Sequence, residues 1–193
     1  DGKSYDVQKD PAVLDLLRIG CLCNDARLIQ ADGATDGAWS IKGDPTEGAL
    51  LVAAAKAGLL TDVENASYPR VREVPFSSET KMMTTFHRTP AGEAAYIKGA
   101  PEVILDRCSY VVRDGQQRSL SNVEEASILA ISRTMASQGL RIIGLAHKLI
   151  GDSGDRGADR EFVFSGLVGM IDPPRPEVKA AIKSCDEAGI KTV

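Results

Sequence analysis

The sequence predicts an α+β layered domain, a mostly antiparallel β-sheet flanked by helices, with a C-terminal strand-helix fragment of different character. Three observations lead there. Strand-like segments at 82–88 and 93–98 are joined by Thr89-Pro90-Ala91-Gly92, a hairpin-type turn. Segments with helical apolar spacing stand between the strand-like ones, so helices must cover the sheet. Near the C-terminus come a strand, a Pro173-Pro174 break, a helix and the apolar Ile190-Lys191-Thr192-Val193, in the order that begins a strand–helix–strand unit of a parallel sheet.

Along the chain, residues 11–23 predict a helix. Val13, Leu14, Leu17, Ile19 and Cys21 recur near helical spacing, and Pro11 sits in a first turn, which tolerates its missing N–H. Residues 30–39 are rich in Gly and Asp and predict a loop. Asp44-Pro45-Thr46-Glu47 then opens a helix over 48–57 that Gly58 ends, with Asp44 as N-cap and Glu47 placed to close a capping box. Strands are predicted at 68–76, 82–88 and 93–98, a short helix at 101–108, a strand at 110–112 and a turn at Asp114-Gly115. Residues 122–138 have the period of a long amphipathic helix that Gly139 stops. Strands at 140–149 and 162–171 flank the polar loop 151–160, and a last helix over 177–188 ends at Gly189. The implied division is one domain over 1–165 and a partial return into a second over 166–193. Both ends read as cut points, the C-terminal one as a strand cut short.

Composition narrows the function. With 43% hydrophobic residues the chain can bury a core, and a net charge of −4 argues against a nucleic-acid partner. No apolar run approaches the roughly 20 residues of a membrane span, so no direct membrane contact is expected. Cys21 and Cys23 are separated by one residue, which is neither a zinc nor a redox spacing, and there are only two histidines, His87 and His147. A metal site built by the chain is therefore not expected. The thiols read as buried in a reducing compartment, and the histidines as partly exposed strand residues.

The familiar chemical motifs are missing: there is no P-loop, no Gly-x-Gly-x-x-Gly and no Gly-x-Ser-x-Gly elbow. What remains is an ordered set of short segments: Lys42 to Leu50, Pro75 to Met83, Lys98-Gly99-Ala100-Pro101-Glu102, Gly139-Leu140-Arg141 and Asp172-Pro173-Pro174-Arg175. Taken singly, each has an ordinary explanation. Glu47 caps a helix, Phe76 is core, Lys81 and Lys98 are solvated, Gly99 to Pro101 turn into a helix, and Arg141 follows a helix end. Taken together they supply what ATP needs: an aromatic face (Phe76), a carboxylate to accept from the adenine amine (Glu47), and cations for the phosphates (Lys81, Lys98, Arg141). Gly99 would let the ligand come close to the backbone.

In this order and spacing the segments resemble those of the P-type ATPases, most of all the calcium-pump branch, over essentially the whole chain. The resemblance implies the nucleotide-binding (N) domain of an ion-motive pump. Phe76 is similar to the family's adenine-stacking phenylalanine, and Glu47 to the carboxylate near the adenine amine. Lys81 and Lys98 match the two lysines lining the pocket, Lys98 at its base. Arg141 matches the arginine that reaches the phosphates. Met83 would flank the adenine, with Gly99 and Ala100 beside it. Asp172 and Arg175 match the junction into the phosphorylation domain. The family's Asp-Lys-Thr-Gly-Thr, with its phosphorylated aspartate, is absent from the sequence, so no catalytic residue is assigned. Ser78 stands where the sarcoplasmic-reticulum calcium pump has an arginine.

The resemblance therefore implies a cytoplasmic domain of a membrane protein that holds ATP for phosphoryl transfer to an aspartate of its neighbour. Its partners would be ATP and the phosphorylation and actuator domains of the same chain, with Mg²⁺ used only in the full-length pump. Two other readings stand beside it: a non-enzymatic interaction module with a decayed nucleotide site, and a free-standing hydrolase of the haloacid-dehalogenase type, which lacks its nucleophile motif.

Overall fold

A seven-stranded sheet organises the chain in the computed structural model, which describes residues 6–30, 39–113, 115–150, 160–172 and 177–191. A 3₁₀ turn at Val7–Lys9 leads into α1 (Pro11–Leu22), β1 (Arg27–Gln30), β2 (Trp39–Lys42), α2 (Pro45–Lys56) and α3 (Thr61–Ser67). Then come β3 (Arg70–Ser77), β4 (Met82–Thr89), β5 (Gly92–Gly99), α4 (Pro101–Asp106), β6 (Cys108–Arg113) and β7 (Gln116–Ser119). The chain finishes with α5 (Asn122–Ser137), β8 (Arg141–Ile150), β9 (Phe162–Met170) and α6 (Val178–Glu187).

The strands lie in the order β3-β4-β5-β8-β9-β6-β7. All neighbours are antiparallel except β6 and β9, which run parallel. The predicted mostly antiparallel sheet flanked by helices is thus present. The β4–β5 hairpin is paired without a break from Met82↔Gly99 to Thr89↔Gly92. Its turn is fastened by Thr89, whose hydroxyl donates to the Gly92 carbonyl at 2.8 Å and accepts from the Ala91 N–H.

Side chains alternate across a strand, and this splits the core. On one face Phe86, Ala95, Ile97, Ala146 and Phe164 pack with Ile104 and Leu105 of α4 and against Ile128 and Leu129 of α5. On the other face Met83, Ala94, Tyr96 and Leu145 pack with Ile19, Leu22 and Cys23 from α1 and its C-cap. A third cluster, with Cys21, Leu51 and Ala54, joins α1 to α2. Both sheet faces are covered, so the alternation is apolar on both sides in the central strands.

Several short elements lack a sequence signal. β1 and β2 form a separate antiparallel pair, Arg27↔Lys42 to Gln30↔Trp39, on either side of the predicted loop. β2 is exposed along its length and therefore shows no burial alternation. β7 and α3 likewise carry no sequence signal. α5 begins with a capping box between Ser121 and Glu124. β9 stays paired with β8 as far as Met170, opposite Arg141, so residues 166–170 sit in the sheet. α6 buries none of its residues, and Ile190 and Lys191 are not in a strand. Asp114, Pro173, Pro174, Arg175 and most of the predicted loops at 30–39 and 151–160 lie outside the described residues.

The histidines depart from expectation in part. His87 is fully buried, with Nδ1 2.8 Å from the Tyr68 carbonyl, so Nδ1 carries the proton and Nε2 faces no partner among the described residues. Burial pushes both His87 and His147 below the ordinary value of 6.5. The folded protein keeps them neutral while the unfolded chain takes up protons as the pH falls through 6.5, so stability is full above that value and is lost below it. Urea midpoints should therefore fall between pH 7.5 and 5.0, and His87→Gln should make that fall shallower. An unchanged slope in the variant would remove His87 from the account.

Candidate nucleotide-binding site

Helix α2 sets the first wall of the site. Asp44 caps it by accepting from the N–H groups of Thr46 (2.8 Å) and Glu47 (3.3 Å), and Pro45 fills the first helical position. Partial burial works against the charge of Asp44. The Thr46 hydroxyl, the two N–H groups and the Arg141 guanidinium outweigh it and hold the carboxyl below its usual range. Glu47 does not close the expected capping box. Its Oε2 accepts instead from the N–H groups of Asp25 and Ala26, both at 3.1 Å, and its Oε1 takes the ammonium of Lys98 at 2.5 Å. The pull of a cation 51 residues away wins over the local cap, because Lys98 needs a counter-charge once it is buried. Lys98 is 6% exposed, not solvated.

The second wall comes from the end of β3 and the turn after it. The β3–β4 register slips between Val74 and Ser77, and Phe76 is left 59% exposed instead of entering the core. Ser77 then organises the turn. Its hydroxyl accepts from the N–H groups of Glu79 and Thr80, and its carbonyl accepts from the N–H of Lys81 at 2.7 Å. Lys81 ends the turn with φ of 51°, a left-handed conformation unusual for a residue with a side chain.

Gly99 explains how that turn is held. A Cβ there would run into the Lys81 carbonyl oxygen and stand 3.0 Å from the Cα of Met82. The neighbouring Ala100 N–H donates to the same Lys81 carbonyl at 3.1 Å. The close approach that requires glycine is thus made by the Lys81 backbone, where a ligand was expected. At the mouth, Arg141 donates from Nη1 to the Thr46 hydroxyl at 2.8 Å and spans from β8 to the first turn of α2.

Together these groups line a cavity of about 540 Å³. It gathers Glu47, Phe76, Lys81, Lys98, Gly99, Ala100 and Arg141, with Asp44, Thr46 and Leu50 beside them. Two of the sequence-derived site residues stand elsewhere. Met83 is 1% exposed in the core under α1; it pairs with Lys98 in the sheet but does not line the cavity. Residues directly opposite in an antiparallel pair share a face, so Met83 and Lys98 lie on the same side of the sheet; α1 and its C-cap cover that side at Met83, while Lys98 reaches Glu47 in the cavity. Asp172 is exposed beyond β9, and Arg175 lies outside the described residues. Sequence reasoning missed Thr46 and Asn24, which holds the backbone of Glu47. No group of three metal-binding side chains occurs among the described residues.

Comparison with known proteins decides the family. The profile of the P-type ATPase, cytoplasmic domain N, matches residues 12–177. The chain belongs to this N-domain family. It is 40% identical to a calcium-transporting ATPase of Bacillus subtilis, over 99% of the chain and 22% of that protein. It is 39% identical to the cation-transporting ATPase pma1 of Synechocystis, over 94% of the chain and 20% of that protein. It is 35% identical to the sodium/potassium exporting P-type ATPase cta3 of Schizosaccharomyces pombe, over 98% of the chain and 18% of that protein. This N domain thus spans about a fifth of the length of the curated relatives it matches. No described helix is long and apolar enough to cross a membrane.

Gly99→Ala should displace the Ser77–Lys81 turn. Filling so tight a contact costs about 1–3 kcal/mol. Amide shifts should change at Phe76 to Lys81 and next to residue 99, and hardly at all in α5 and β7. Changes spread evenly over the sheet would contradict this placement.

Proposed function

We propose that the cavity binds ATP and that this N domain presents the γ-phosphate to an aspartate of a neighbouring domain in a cation-transporting pump. The observation that supports it is the meeting, in one cavity, of an exposed aromatic ring, a buried carboxylate–ammonium pair and two cations at the mouth. A nucleotide needs these groups in this arrangement. Phe76 stacks on the adenine. Glu47 accepts from its exocyclic amine, with Lys98 at the base. Lys81 and Arg141 neutralise the phosphate tail, as phosphoryl transfer by positioning demands.

The catalytic role is one of placement. The domain holds no nucleophile of its own in this reading, and the acceptor aspartate, the Mg²⁺ site and the actuator domain belong to the longer pump. In this reading the return into the phosphorylation domain covers 166–193, with Asp172 and Arg175 matching its junction, and residues 166–170 of it pair with β8. Relatives named for calcium, for cations and for sodium/potassium all align along the chain, so the proposal is cation transport with calcium as its first case.

Titration with ATP should shift the amides of Glu47, Phe76, Lys81, Lys98 and Arg141 in a saturable way. Stacking of a base on an aromatic side chain is worth about 1–3 kcal/mol, so Phe76→Ala should weaken binding roughly tenfold or more. Absence of saturable shifts in the wild type would remove the proposal.

A further inference from the structure

Glu47 is held from two sides by a three-residue turn that no functional role has been given. Asn24 follows α1 and is 6% exposed. Its Nδ2 donates to the carbonyl of Gly20 at 3.1 Å and to the backbone carbonyl of Glu47 at 2.9 Å, and its Oδ1 accepts from the N–H of Ala26 at 2.9 Å. Both amide protons of Asn24 and an oxygen lone pair are thereby used. The next two residues complete the grip, since the N–H groups of Asp25 and Ala26 both donate to Glu47 Oε2. The turn is itself anchored: Arg70 Nη2 donates to the carbonyls of Leu22 and Asn24, and its Nη1 to Asp25. Gly43, at φ of 122°, packs so closely on Ala26 that a Cβ would stand 2.9 Å from its Cα.

An ionised carboxylate offers about four acceptor positions. The cradle uses two on Oε2, and Lys98 uses one on Oε1. What remains is one acceptor direction on Oε1, from a side chain that is 17% exposed and lines the cavity. A loose glutamate would rotate to suit a donor or withdraw from an acceptor. An ionised carboxylate only accepts, and one held this firmly cannot turn away.

We infer that Asn24 is a positioning residue that fixes the orientation of the acceptor-only Glu47 carboxylate and so makes the cavity select 6-amino purines over 6-oxo purines. The inference rests on the reading of Glu47 as the partner of the adenine amine. A ligand with a carbonyl at that position would set its oxygen against a carboxylate that cannot turn away. Sites built to accept from a ligand N–H reject analogues that lack it.

The test is binding of ATP and inosine triphosphate to the wild type and to Asn24→Ala. The wild type should prefer ATP by tenfold or more. Asn24→Ala should weaken ATP severalfold while leaving inosine triphosphate nearly unchanged, so that the preference collapses. Equal weakening of both nucleotides means that Asn24 only supports the fold, and an unchanged preference means that it does not position Glu47; either overturns the inference alone. A wild type without preference overturns the inference together with the role of Glu47. Should Asn24→Ala not fold, hydrogen exchange of the Asn24 side-chain amide in the wild type decides. Slow exchange is expected, and exchange as fast as an exposed asparagine overturns it.

Discussion

The ion pair between Glu47 and Lys98 is the constraint on which the site depends. It joins the first turn of α2 to the end of β5. An ammonium that is 6% exposed is tolerated only with a counter-charge and hydrogen bonds. Glu47 supplies the charge, and the N–H groups of Asp25 and Ala26 in turn satisfy Glu47. Removing Glu47 would leave the buried Lys98 ammonium without its counter-charge, a loss on the order of 3–5 kcal/mol in comparable pairs. The floor of the cavity is therefore rigid before any ligand arrives.

The walls follow from that floor. β5 ends at Gly99, whose missing Cβ admits the Lys81 carbonyl, and that contact seats the turn carrying Lys81 beside Phe76. Arg141 opens β8 and reaches Thr46 on the helix that carries Glu47. Each wall is thus tied to the pair by one or two bonds. The groups at the mouth are the exposed ones. Arg141 makes a single described hydrogen bond from its five donors, and Phe76 has a free face. A rigid floor with adaptable groups at the rim suits a ligand that is enclosed at its base and open at its phosphate end.

Much of this was legible in the sequence, and for physical reasons. Long helices and central strands announce themselves because burial imposes a period, as in α1, α5 and the β4–β5 hairpin. Short exposed elements do not: Trp39-Ser40-Ile41-Lys42 is a strand with no buried face, and α3 has no side-chain cap. At the site, the order of segments identified the residues that line the cavity, but their contacts were not readable. Glu47 looks like a capping residue until Lys98 is seen beside it. Met83 looks like a pocket residue until α1 covers it. The need for glycine at 99 comes from the Lys81 carbonyl across a turn. Asn24 carries no signal for this role, because its local bonds to Gly20 and Ala26 are those of an ordinary turn and only the bond to the Glu47 carbonyl reaches the site.

Soaking crystals with a non-hydrolysable ATP analogue tests the central claim most directly. The chain has a second cavity, of about 350 Å³, at the far end of the α1 face beside Asp15, Tyr68 and Tyr96, which serves as an internal control. The adenine should lie against Phe76 with its amine at Glu47 Oε1, and the phosphates should point towards Lys81 and Arg141. Electron density for the nucleotide in the second cavity, or the adenine turned away from Glu47 and Lys98, would contradict that claim.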